Sequence, residues 1–254
     1  MIHYERRYLL FLDILGFRDY VSRSMEDAEL LSSLVDAVKK PEEIDPNKIV
    51  VVDIGDISTA NVRLTNFSDS IIVTAESTYL GLLYLLFYVN KVYFRLRKHN
   101  LFFRGGLVLG EVIHDESMIL GPALIEAYDL ERVTATYPRV LLSDRILESV
   151  SGESKFRLDF LSRFLRTDDI DNRIFCHVLF AFGGTEITRE YAEYLFEGVN
   201  ERVRETLLLN DPEKINRIVK KYFWFSRYLE KTIGKPNLAL LKIVGGQSPV
   251  NTQV

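Results

Sequence analysis

Tyr8 to Leu15 is apolar at every position except one, Asp13, and Gly16-Phe17 follows it directly. An apolar run without alternation reads as a strand buried on both faces, and so as a central strand of a sheet. Gly16 ends it. A buried strand tolerates a carboxylate only when that carboxylate is paired or bound to a cation, so Asp13 needs a partner from elsewhere in the chain. The stretch Thr65 to Thr74 offers one. Val62, Leu64 and Phe67 precede the polar triplet Ser68-Asp69-Ser70, and Ile71, Ile72 and Val73 follow it. The triplet has the residue types that tight turns favour, between two apolar strands. Taken alone, Asp69 is a turn residue that satisfies backbone donors. Taken with Asp13, it completes what a divalent-metal site needs: one acid on a strand and one on a hairpin.

The chain has 254 residues, room for one large domain or two small ones. Its hydrophobic fraction of 47% supplies a sizeable core. A net charge of -4 argues against a general nucleic-acid binder, which carries a strongly basic surface. The single cysteine, Cys176, lies in an apolar run and is expected in the core. With one cysteine no disulfide framework is possible within the chain, which fits a reducing compartment. The N-terminus lacks the layout of a signal peptide. The longest apolar stretch, Tyr79 to Val89, is too short to span a bilayer and reads as a buried or subunit-facing helix. A cytoplasmic protein with no membrane association is expected.

In chain order, the strand at Tyr8 leads to a helix of roughly Met25 to Lys39, with Leu30, Leu31, Leu34, Val35 and Val38 at helical spacing. A polar loop at 41–47, a strand over Ile49 to Asp53 and a turn-rich link precede the hairpin. Ser77 to His99 is a long helix with a cationic end that suits a helix C-terminus. Leu101 to Val112 reads as a second strand pair. Gly121-Pro122 starts another helix, proline being well placed at a first helical position, and it runs to about Arg132. Arg139 to Ser143 is a strand, with a short helix to Val150. The order strand, helix, hairpin, helix, hairpin, helix, strand makes an α+β fold, a mixed sheet with helices on one face. Beyond Gly152, Phe156 to Phe182 reads as further strands around a polar loop at Thr167 to Asn172, and Gly183-Gly184 is a break. Two helices follow, Thr188 to about Leu209 and Asp211 to Lys231, the second with Asp211 as N-cap and Pro212 next. Its aromatic cluster (Tyr222, Phe223, Trp224, Phe225 and Tyr228) reads as core or dimer packing. A last strand is expected over Leu238 to Val244 and a loose tail after it.

Four motifs in order carry a resemblance: Asp13 in Phe-Leu-Asp-Ile-Leu-Gly-Phe, Asp69 in its hairpin turn, the segment 102–113 (Phe-Phe-Arg-Gly-Gly-Leu-Val-Leu-Gly-Glu-Val-Ile), and the segment 121–132 that begins Gly-Pro-Ala-Leu-Ile-Glu-Ala-Tyr. Together they resemble a class III nucleotidyl cyclase domain, and most of all the pyrimidine cyclases of bacterial anti-phage Pycsar systems. The resemblance implies a ferredoxin-like βαββαβ catalytic core at 8–145, with 146–254 as a C-terminal extension packed on it in one continuous domain. It implies a homodimer with active sites at the interface, no nucleic-acid partner, and two divalent ions, Mn2+ or Mg2+, per site. By resemblance, Asp13 and Asp69 are metal ligands, with the backbone carbonyl of Ile14 as an extra one. The amides of Leu15, Gly16 and Phe17 would cradle phosphates. The product would be cyclic UMP from UTP, a second messenger of anti-phage defence, or cyclic CMP from CTP.

The chain departs from the purine cyclases at the base-reading positions. Thr65 stands where they place a lysine, Phe67 shares its strand face, and Pro122 stands where they place an acid or threonine. Phe67 reads equally as a wall of a shortened pocket and as hairpin core. Ile125 and Asp129 replace the asparagine and arginine of the late helix. An aspartate cannot neutralise a phosphoryl transition state, so another cation does so or the domain is a non-catalytic one that senses nucleotide or dimerises. Arg104 is the first candidate, Arg139 the second, and Arg132 the third. The histidines His3, His99, His114 and His177 show no zinc spacing. Thr167 to Asp171 lacks the spacing of a calcium loop.

Overall fold

The computed structural model describes residues 3–38, 61–97, 99–179 and 189–233. The polar loop expected at 41–47, the strand at 49–53, the link at 54–60, the Gly183-Gly184 break and the strand at 238–244 all lie outside the described residues. The chain divides into two compact units, Met1–Val178 and Leu179–Val254.

In the first unit, β1 (Glu5–Leu15) is the central strand that its sequence requires, and Arg7 through Leu12 are all buried. It pairs antiparallel with β3 (Ser70–Glu76) on one side and with β4 (Phe102–His114) on the other. β2 (Arg63–Phe67) joins β3 through the turn at Ser68-Asp69, where Ser68 adopts φ 54°. The order β2-β3-β1-β4, with helices between β1 and β2 and between β3 and β4, is the ferredoxin-like βαββαβ arrangement within an α+β fold. β6 (Val140–Leu142) then adds parallel to β4, which makes the sheet mixed, and β8 (Ile174–Cys176) and β7 (Leu165–Thr167) extend it. Residues beyond 145 thus continue the sheet of the first unit.

Five local readings change. The chain turns helical as soon as β1 ends, in α1 (Phe17–Ser24), before α2 (Ala28–Val38). Gly16 at φ 77° makes that abrupt switch, a conformation that glycine adopts without steric cost. Leu101 to Val112 is one long strand, not a pair; its hairpin partner is the two-residue β5 (Ile119–Leu120), across a turn in which Asp115 Oδ1 accepts from the Ser117 and Met118 amides. The late helix α4 (Pro122–Asp129) passes into a π-helical turn over Leu130–Thr134. Phe156 to Ser162, expected as strand, lies in α6 (Lys155–Ser162), because Ser154 caps it by accepting from the Arg157 amide. Finally, the helices expected on one face include α3 (Tyr79–Arg97) and α5 (Asp144–Val150): Tyr93 of α3 packs edge-on against Phe103, and Tyr8 hydrogen-bonds Ser149 of α5. α4 departs from that expectation and covers the opposite face, burying Ala123 and Ala127 against Leu9, Phe11 and Val108. It lies so close that a Cβ on Gly106 would stand 2.6 Å from the Ala127 carbonyl oxygen.

The second unit pairs α7 (Arg189–Leu207) with α8 (Pro212–Ile233). Asp211 Oδ1 accepts from the Lys214 amide, the N-cap its sequence announces. Trp224 stacks on Tyr228, and Trp224, Phe225 and Leu229 are buried. No described helix is long and apolar enough to cross a membrane.

Candidate functional site

Strand register sets the site, because side chains alternate between faces and cross-strand partners share one. On the α4 face the sheet presents three successive rows, read from β2 through β3 and β1 to β4: Phe67-Ser70-Asp13-Arg104, then Thr65-Ile72-Phe11-Gly106, then Arg63-Thr74-Leu9-Val108. Asp13, Thr65, Phe67 and Arg104, far apart in sequence, therefore lie on one face at one end of the sheet.

Asp69 joins them through the backbone. The Ile14 amide donates to the Asp69 carbonyl at 2.9 Å, continuing the β1–β3 ladder past Asp13 into the turn. The backbone of the turn acid is thus bonded to the residue that follows the strand acid where β1 ends. Immediately beyond, Gly16 leads into α1, whose first carbonyl bonds close at 3.0 Å and 3.2 Å, from the Asp19 and Tyr20 amides to the Gly16 oxygen. The amides ahead of those belong to the helix N-terminus and have no partner within the helix.

Arg104 is the direct cross-strand partner of Asp13, and its Nε lies 3.3 Å from Asp13 Oδ2. This ion pair explains how an apolar strand carries the acid. The same Nε lies 2.5 Å from Oε1 of Glu131, a buried carboxylate in the π-helical turn. Nη1 reaches the Ala135 carbonyl at 3.5 Å. Glu131 had no sequence signal beyond its place in the late helix; only the widened π turn brings it under the sheet. Such turns occur often at functional sites.

The other two candidate arginines make different contacts. Arg139 is 2% exposed, and its guanidinium is taken by Asp168 and by Asp171, the latter at 2.5 Å, so the role of second-choice catalytic cation is corrected to a structural one. This also assigns the polar loop at 167–171: it grips an arginine. Its partner holds the Asp171 carboxyl below the ordinary range, against a burial cost that acts the other way. Arg132 lies over the exposed Tyr128 ring at 5.9 Å. Tyr128 in turn meets Phe11 edge-on at 5.7 Å, and Glu126 pairs with Arg145 at 3.4 Å. Ile125 and Asp129 are exposed on α4, and Pro122 is exposed at its start. Phe67 is 78% exposed beside the hairpin tip, so it is no part of a hairpin core.

Thr65 brings in a residue that sequence reading set aside. His114, at the far end of β4, lies with Nε2 2.9 Å from Thr65 Oγ1 and Nδ1 2.8 Å from Thr74 Oγ1. Arg63 donates to the His114 carbonyl and pairs with Glu5 at 3.3 Å, which pins the end of β4 to β2 and β1. His114 has no sequence neighbour that marks it; its partners lie on β2 and β3.

As for a metal, no group of three or more His, Cys, Asp or Glu side chains converges among the described residues. The oxygen donors of Asp13, Asp69 and the Ile14 carbonyl are of the kind that hard divalent cations take, with remaining positions left to water and phosphate.

No family model matches the sequence, and no curated protein matches it. Among solved structures, the crystal structure of an adenylate/guanylate cyclase/hydrolase from Silicibacter pomeroyi is similar at 16% identity, covering 67% of this chain and 95% of that one with a TM-score of 0.38.

Proposed function

We propose that this chain is a metal-dependent pyrimidine nucleotide cyclase that converts UTP to 3′,5′-cyclic UMP and pyrophosphate, acting as a homodimer in the cytoplasm to make a second messenger of anti-phage defence. The observation that carries the reading is the backbone bond from Ile14 to Asp69, which sets the turn acid at the end of the strand that carries Asp13, with a glycine-led helix N-terminus next in the chain. When bound there, two Mn2+ or Mg2+ ions would lower the pKa of the ribose 3′-hydroxyl and neutralise triphosphate charge. Asp13, Asp69 and the Ile14 carbonyl are the residues that would hold them. The amides of Leu15, Gly16 and Phe17 bind the β- and γ-phosphates, favoured by the helix dipole and by the absence of a side chain at Gly16. Arg104 sits on the same face as the acids, its Nε side turned to Asp13 and Glu131. Nη1 also reaches the Ala135 carbonyl, so Nη2 is the nitrogen offered to the α-phosphate, where charge builds as the 3′-oxygen attacks and pyrophosphate departs. Thr65 and Phe67, on the face and strand beside the acids, line the base, and Pro122 adds no polar readout there. Exposed Ile125, Tyr128 and Val133 supply an apolar face for a second copy.

A second reading, a non-catalytic nucleotide sensor, is favoured by Ile125 and Asp129 in the late helix. Purified protein supplied with Mn2+ and each of ATP, GTP, CTP and UTP, beside Asp69→Ala, separates the two. One dominant cyclic pyrimidine, lost in the variant, is the expected result, and cyclic CMP in its place would name CTP as substrate. Nucleotide binding without product from any of the four would establish the sensor.

A further inference from the structure

His114 is 1% exposed, and its two ring nitrogens face threonine hydroxyls from two other strands. A neutral imidazole has one N–H and one bare nitrogen, so it donates to one of these hydroxyls and accepts from the other. Burial first, and then the charges of Arg63 and Arg7, push the pKa of the ring down to about 4, so the neutral form is present near pH 7.

The two threonines are not equivalent. Thr74 is fully buried, and among the described residues its hydroxyl has one hydrogen-bond partner, His114 Nδ1. A buried donor hydrogen left without an acceptor costs more than an unused lone pair. Thr74 therefore donates to Nδ1, and the ring proton sits on Nε2 and is donated to Thr65. Thr65 is half-buried, and this arrangement leaves its own hydroxyl hydrogen free. In the other tautomer Thr65 would spend that hydrogen on Nε2 and offer only lone pairs.

We infer that His114 is a positioning residue for base selection: its Nε2–H tautomer makes Thr65 a hydrogen-bond donor, so the site takes a pyrimidine with a carbonyl oxygen on the edge it reads, as in uracil, over one with an amine there, as in cytosine. The inference rests on the nucleotide-site reading above. It adds the group that sets the polarity of Thr65 and the reason for UTP over CTP. With cytosine bound, the amine would be met only by the second lone pair of Thr65, and the Thr65 hydrogen would lose the carbonyl acceptor that uracil gives it.

Two measurements on the full chain test it. In protein labelled with 15N at histidine, His114 assigned by its absence from His114→Gln, long-range proton–nitrogen correlations read the tautomer without any substrate. Nε2 protonated and Nδ1 bare is expected; Nδ1 protonated, or a mixture in exchange, overturns the inference. In the second, 3′-deoxy-UTP and 3′-deoxy-CTP, which lack the attacking hydroxyl, are titrated in Mn2+ onto the native protein, Thr65→Val and Thr65→Ser. A preference of about tenfold or more for the uracil nucleotide, lost in Thr65→Val and recovered in Thr65→Ser, is expected. A preference unchanged in Thr65→Val, or no binding of either nucleotide, overturns it. The expected preference, found in a protein that makes no cyclic product from UTP, supports the inference and overturns the cyclase reading alone.

Discussion

Glu131 Oε1 lies 2.5 Å from Arg104 Nε, beneath the sheet face that carries Asp13. The contact joins a π-helical turn to a β-strand and fixes which edge of the guanidinium is committed. Glu131→Gln keeps the shape of the side chain and removes its charge. It should cost about 1–3 kcal/mol of stability in urea unfolding, the penalty for a weakened buried partner. It should also lower kcat by more than it raises KM, because Arg104 would lose its aim and not its charge. Equal activity in the variant would remove Glu131 from the account.

Metal dependence should be visible without turnover. Thermal unfolding of the native protein should shift upward on adding Mn2+ and return on chelation, with stabilisation of about 3 kcal/mol at a metal concentration a hundred times Kd. Asp69→Ala lies in a half-exposed turn and should fold normally yet show no shift. A full shift in that variant would place the ion elsewhere.

Acid should destabilise the fold through its histidines. Burial lowers His114 to about 4 and His177 to about 3, whereas both titrate near 6.5 once unfolded. Between those values the unfolded chain binds more protons than the folded one, so stability falls as pH drops from about 6.5 to 4 and is unaffected by these groups above that range. The His114 share is on the order of 3 kcal/mol. Urea unfolding at several pH values should show the slope, and His114→Gln should reduce it to the part that His177 carries.

Arg139 is a test of structure against chemistry. With its guanidinium enclosed by Asp168 and Asp171, Arg139→Ala should cost about 3–5 kcal/mol by leaving buried acid unpaired. Arg139→Lys should recover little, since a point charge cannot replace a two-sided fork. Undiminished stability in both variants would reopen a catalytic role.

Much of the core was legible in residue pattern. Asp13 within an apolar run announced a central strand with a paired acid, and Ser68-Asp69-Ser70 announced the turn that meets it. Those signals are local, and the structure keeps them. What escaped reading depends on contacts between distant segments. Arg104 was visible as a candidate only through its motif, while its partner Glu131 needed a π turn that no pattern of residues marks. His114 looked isolated because its threonine partners lie on other strands. The π turn also hid in a sequence that reads as plain helix to Arg132. Phe156 to Ser162 misled for another reason: four of its seven residues are apolar or aromatic, and the single serine cap before it outweighed their strand character.

The placement of Asp13 on β1 has a consequence for how such a protein can decay over generations. β1 is buried on both faces, so a deletion or insertion of one residue within it would turn Asp13 toward α3 and turn core leucines toward the site. Fold and chemistry would be lost in the same event. A lineage can silence this site and keep its scaffold only by substitution, so a surviving descendant that has lost Asp13 should still show β1 at its full length.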